Sequence, residues 1–181
     1  MIFVQACVLL FSAFSISWAD VTPHDQEVCF APDEPCADKL NEFISSAKES
    51  IDMAIYDINI DQLVHRLAIQ NKKIKVRIVV DKKQSKGSHS LVSLLQKTGV
   101  DVRYGRQRGI MHDKFTIVDS KMLETGSFNY TNHASMANQE NQIYLTSPQV
   151  IARYKDRFEK MWKSAKPATE SSRRLSSTEE P

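Results

Sequence analysis

The run Ile74-Lys75-Val76-Arg77-Ile78-Val79-Val80 restricts the fold more than any other segment. Its branched side chains lose rotamer freedom in a helix and pack well on a pleated surface, so it reads as a strand. Before it, Leu63-Val64 and Leu67-Ala68 recur at helical spacing; after it come Leu91, Leu94 and Leu95, ended by Gly99. Leu40, Phe43, Ile44 and Ala47 predict a further helix, and Ile51, Met53 and Ile55 alternate as in a strand. Val100–Tyr104, Phe115–Val118 and Gln142–Leu145 are three more short strand candidates. Strands alternating with helices predict an α/β domain: a mixed, largely parallel β-sheet flanked by helices, with sites beyond the carboxyl ends of its strands. The last element is a helix. Ser147 can cap it, Pro148 suits its first position, and Val150, Ile151, Tyr154, Phe158, Met161 and Trp162 form one apolar stripe that predicts core packing and no function.

The chain has 181 residues, 41% hydrophobic and 25% charged, which allows one domain and excludes a wholly disordered, collagenous or coiled-coil chain. With 24 Lys+Arg against 22 Asp+Glu, any footprint for a polyanion must be local. Residues 1–19 lack Asp, Glu, Lys and Arg, and Ser17-Trp18-Ala19 precedes Asp20. This is the pattern of a secretory signal cleaved after Ala19, although its start lacks the usual cation. The alternative is an uncleaved anchor, which would associate the protein with a membrane. The expected location is therefore secreted or periplasmic, or membrane-anchored. Cys7 would leave with such a leader, and Cys29 and Cys36 remain as a pair suited to a disulfide, with two reduced buried thiols as the alternative. Residues 164–181 are rich in Ser, Thr, Glu, Lys and Pro and predict a disordered tail, leaving 20–163 as the domain.

The chemistry concentrates between Arg103 and Asn141. His112-Asp113-Lys114 is followed after four residues by Asp119, and after six more by Gly126-Ser127-Phe128-Asn129. This H-x-K-x4-D-x6-G-S-x-N pattern resembles the phospholipase D, or HKD, superfamily. Six specified residues, each about 5% of ordinary composition, match at a given start roughly once in ten million or more. The apolar Phe115–Val118 after the Lys and the Glu140-Asn141 pair fit the family as well. The chain looks most like the small bacterial endonucleases of the Nuc type, which carry one motif per chain.

The residues make chemical sense unaided. Cleaving a phosphodiester needs a nucleophile, an acid for the leaving oxygen, and cations or donors around the phosphoryl oxygens. A neutral imidazole at His112 can attack phosphorus, and a protonated one on the opposite side can donate. Lys114 shares a strand face with His112, whereas alternation turns Asp113 away. Ser127 and Asn129 can offer donors, and Glu140 can accept from the second ring nitrogen of His112. The resemblance implies that Glu140 contributes to the site and that Asp119, like Gly126, is structural. It also implies no metal and no cofactor; His112, Asp113 and His133 match no standard metal spacing.

Only His112 is followed two residues later by Lys. Because in-line displacement needs two histidines, the resemblance implies a homodimer that completes the active site. Arg103, Arg106 and Arg108, approaching His112 through a Gly105–Met111 hairpin, and Lys82, Lys83 and Lys86, after the Ile78-Val79-Val80 strand, are candidate contacts to substrate. The expected function is a metal-independent phosphodiesterase, foremost a non-specific endonuclease on DNA or RNA, gripping backbone phosphates through a phosphohistidine route. The rivals are a phospholipid phosphodiesterase acting on a cardiolipin-type lipid and a non-catalytic nucleic-acid-binding module.

Overall fold

The computed structural model describes residues 26–105 and 109–168. The leader at 1–19, Arg106, Arg108 and most of the expected tail lie outside them. Strand β1 (Glu27–Ala31) leads into α1 (Cys36–Ser45), β2 (Ser50–Ile55), α2 (Asp61–Asn71), β3 (Lys75–Val80), α3 (Val92–Lys97) and β4 (Asp101–Tyr104). Then follow β5 (Lys114–Val118), β6 (Met122–Gly126), α4 (Asn132–Met136), β7 (Glu140–Leu145), α5 (Pro148–Ser164) and β8 (Lys166–Pro167).

All eight strands form one mixed sheet in the order β1-β7-β6-β5-β2-β3-β4-β8. The two βαβ crossovers make β2, β3 and β4 parallel neighbours. Every other pairing is antiparallel, so the parallel share is smaller than the alternation of strands and helices predicts. The reason is local: β5, β6 and β7 run back and forth without long helical crossovers, and antiparallel strands need only short connections.

Two apolar layers bury the sheet. Ile51, Met53 and Ile55 of β2 pack with Leu40, Ile44 and Leu63 on the α1–α3 side. Ala54, Phe115 and Ile117 meet Ile151, Phe158 and Trp162 of α5 on the other. Burial on both faces explains why β2 and β3 are apolar nearly throughout. One polar exception is satisfied: Arg77 reaches Asp52 at 2.7 Å and Glu159 at 2.7 Å while stacking over Phe158, tying β2 and β3 to α5.

The stripe of α5 packs as expected, with Pro148 in its first turn, although the Ser147 side chain makes no cap bond. Gly99 ends α3 at φ +83°, a conformation it adopts without steric cost. Cys29 and Cys36 are bonded, joining β1 to the start of α1. Ordered chain continues past residue 163, because β8 pairs with β4 and Ala168 is buried. No helix among the described residues is long and apolar enough to cross a membrane.

Candidate active site

The site forms where β2 and β3 end and β5 begins. Strand β5 pairs with β2 and β6 and not with β4, so the two strands do not pair across the expected Gly105–Met111 hairpin, part of which lies outside the described residues. The described residues on either side of 106–108 are both tied to the end of β3. Gly105 N donates to Val80 O at 2.9 Å, and Met111 N donates to Asp81 Oδ2 at 2.9 Å. Asp81 Oδ1 accepts from Lys83 N and Gln84 N, so one carboxylate holds both the loop after β3 and the residue before His112.

His112 is exposed, immediately before β5. Its ring meets the Tyr56 ring edge-to-face with centroids 4.7 Å apart. Tyr56 is fixed in turn by Gln84 at 3.3 Å, and Gln84 donates to Asp57 at 2.9 Å. Lys114 Nζ lies 3.3 Å from each ring nitrogen of His112 and donates to its carbonyl at 3.1 Å. The shared face expected for these two residues is therefore present. Burial pulls the Lys114 ammonium below its usual range, with the charges of Glu140 and Asp113 opposing. Asp113 turns the other way, as alternation predicts, and pairs with Arg157 of α5 at 2.9 Å.

Gly126 lets β6 and β7 approach closely; a β-carbon there would sit 2.0 Å from Asn141 O. Just beyond it, Ser127 Oγ donates to Glu140 and accepts from Asn141 N at 3.1 Å. Glu140 also accepts from Asn138 Nδ2 at 2.9 Å. The expected bond from His112 to Glu140 is replaced by these two partners, which belong to the adjoining turns. Asn129 is placed by its neighbour: Tyr130 N donates to Asp57 O at 3.1 Å and Tyr130 O accepts from Asn59 N at 2.9 Å. Asn129 Oδ1 and Asp57 Oδ1 are buried without a hydrogen-bond partner among the described residues.

Beneath the site, the Tyr130 hydroxyl bonds Thr116 Oγ1 at 2.6 Å and the buried carboxyl of Glu124. Burial pushes the Glu124 carboxyl up to about 8, against hydrogen bonds from Tyr130 and Gln142. Asp119 accepts from the amides of Lys48, Glu49 and Ser50 at 2.7–3.1 Å, a structural position at the opposite end of β5 from His112. Those bonds hold its carboxyl below the usual range although burial opposes them.

The cations expected to meet substrate divide. Lys82 and Lys83 are exposed beyond the end of β3. Lys86, also exposed, lies 5.9 Å from the Tyr104 ring centre. Arg103 is instead packed 3.9 Å from the centre of the Trp162 ring and donates to Trp162 O, so it serves the fold. Tyr56, Asp81 and Gln84 escaped the sequence reading because their roles come from contacts between segments distant in the chain. Among the described residues, Cys29, Glu34 and Cys36 are the one close group of three metal-ligand types, and its thiols are joined to each other.

A family described as "Cardiolipin synthase, PLD-like domain" matches residues 40–162. The chain belongs to the phospholipase D superfamily. A mitochondrial cardiolipin hydrolase of Chlamydomonas reinhardtii is 34% identical over 122 residues, 67% of this chain and 55% of that protein. A phospholipase D of Rickettsia conorii is 35% identical over 128 residues, 70% of this chain and 64% of its own length. The chain thus spans little more than half the length of the first of these relatives. Nuc, a phospholipase D family member from Salmonella typhimurium, superposes with a TM-score of 0.74 at 27% identity, covering 79% of this chain and 97% of that one.

Proposed function

We propose that this chain is a phosphodiesterase that cleaves the backbone of DNA or RNA by histidine chemistry, without metal. The observation that carries the reading is the exposed His112 imidazole with the Lys114 ammonium 3.3 Å from its ring nitrogens. A ring nitrogen of His112 attacks phosphorus and the bond to the leaving oxygen breaks. His112 of a second copy of the chain gives that oxygen its proton. Water then attacks the phosphorus, the P–N bond breaks, and the second histidine takes the proton from the water. Lys114 and the Asn129 amide stabilise the phosphoryl oxygens, whose charge increases in the transition state. Glu140 orders Ser127 beside them. A two-fold axis through the site supplies the second histidine, because one chain carries one H-x-K.

A second reading rests on the names of relatives: the same chemistry on a cardiolipin-type phospholipid. The experiment uses the full chain, with His112→Ala as control, in EDTA, against single- and double-stranded DNA, RNA and cardiolipin vesicles. Cleavage of nucleic acid by the parent alone supports the nuclease reading. Hydrolysis confined to the vesicles moves the substrate to lipid, and loss of all activity in EDTA contradicts the mechanism.

A further inference from the structure

The exposed flank of α5 carries Arg153, Arg157 and Lys160, spaced so that they share one side of the helix. That side borders the catalytic histidine. A cavity of about 560 Å³ is lined by His112, Lys114, Arg153 and Arg157. A second, of about 610 Å³, is lined by His112, Arg157 and Lys160. The two share His112, Asp113 and Arg157, so together they make one trough along α5 that reaches His112. Its walls hold the cations Lys114, Arg153, Arg157 and Lys160 against the single carboxylate of Asp113. Asp113 is itself engaged by Arg157, and among the described residues Arg153 and Lys160 have no ion-pair partner.

We propose that this trough binds a nucleic-acid strand, gripping the phosphates on either side of the scissile one through Arg153 and Lys160. The inference rests on the phosphodiesterase reading and adds the track of the substrate to it. Arg153 lines one cavity and Lys160 the other, and His112 is common to both. Seven residues of helix separate them by about 10 Å. A duplex strand presents a phosphate for roughly every 3.4 Å of its axis, so this span covers more than one. A phospholipid, even cardiolipin with its two phosphates, gathers its charge into one headgroup. Cations spread along a trough fit a polymer with repeating phosphates.

The test is the double variant Arg153→Gln/Lys160→Gln in the full chain. In a His112→Asn background, binding to a fluorescent single strand is measured across a salt series. Losing two phosphate contacts weakens binding and makes the slope of log K against log salt shallower by about 1.4. With His112 intact, kcat/KM for the strand relative to that for bis(p-nitrophenyl) phosphate falls at least tenfold. An unchanged salt slope together with an unchanged ratio overturns the proposal even where the parent still cuts DNA. A loss seen on anionic vesicles and not on the strand also overturns it, in favour of lipid. A parent that hydrolyses the small diester but cuts no strand defeats the nuclease reading itself.

Discussion

Asp119 lies at the turn between β5 and β6 with φ 54°, a left-handed conformation that Asp and Asn tolerate better than most residues. Its carboxylate accepts from three successive amides, Lys48, Glu49 and Ser50, at the entry to β2. Asp119→Ala leaves those amides without their acceptor. At about 1 kcal/mol net for each bond, and about 1 kcal/mol for Ala in the left-handed region, the loss is about 4 kcal/mol. That corresponds to roughly 10 °C in thermal midpoint for a domain of this size. Asp119→Asn keeps an acceptor oxygen and the backbone preference and should lose about 1–2 kcal/mol, the share due to charge. The sign with pH follows from a folded-state pKa held below the usual range. The carboxylate's contribution is present above the ordinary Asp value of about 3.9 and fades as pH falls through the lower folded value. The gap between parent and Asp119→Asn therefore narrows at acid pH. Circular dichroism melts at pH 7 and pH 3 measure this, alongside activity per folded molecule at a temperature where every variant is folded. Activity within a few-fold of the parent is expected. Near-total loss of activity with an unchanged melt would refute the structural assignment and place Asp119 in the chemistry.

Three further outcomes follow from the same geometry. Burial holds the Glu124 carboxyl protonated to about pH 8, far above its unfolded value. Stability is then full below the ordinary Glu value of about 4.3 and declines by up to about 1.4 kcal/mol per pH unit as pH rises toward the folded value. Glu124→Gln should flatten thermal midpoints between pH 5 and pH 8, and a parent midpoint that climbs over that range would contradict this. Gly126→Ala drives a β-carbon into the Asn141 carbonyl, so β6 and β7 must separate under Ser127 and Glu140. Overpacking of this kind costs about 1–3 kcal/mol. Lower stability and at least a hundredfold loss of activity are expected; a variant with parental kcat would show that the close approach is dispensable. Reducing the Cys29–Cys36 disulfide, whose cysteines are 7 residues apart, should lower stability in urea melts by about 2.5 kcal/mol. Unchanged melts on reduction would argue against that staple.

The legible parts of the fold were those with strong local patterns. The β-branched run of β3, the alternation in β2 and the α5 stripe each predict their element because burial imposes a period on the sequence. Four elements were not visible. In β1, Val28 and Phe30 are exposed while Cys29 and Ala31 are buried, which inverts the contrast that alternation normally supplies. Strand β6 contains a buried Glu124, β8 has only two residues, and α4 has five. The sheet is mixed, as expected, with a smaller parallel share, because strand-rich sequence without long crossovers carries no direct mark of antiparallel pairing.

The site followed the same division. His112, Lys114, Ser127 and Asn129 stand in a motif with fixed spacing, Glu140 follows it at a distance that fits the family, and the fold brings Lys114 onto His112 and Glu140 onto Ser127. Tyr56, Asp81 and Gln84 have no such mark, since each acts across strand ends on residues 27 or more positions away. Arg103 differs from the expectation for a related reason. A basic residue near the motif looks like a phosphate contact until the Trp162 ring is found beneath it.

The claim at the centre of this account is that His112 forms a covalent bond to phosphorus during turnover. The direct measurement mixes the full chain with excess DNA in EDTA, quenches with alkali to preserve phosphohistidine, and maps the adduct by mass spectrometry. The account predicts a nucleotidyl-phosphoryl adduct on His112 in the parent and none in His112→Ala. Sustained DNA cleavage in EDTA with no adduct at His112, or with the adduct on another residue, would contradict it.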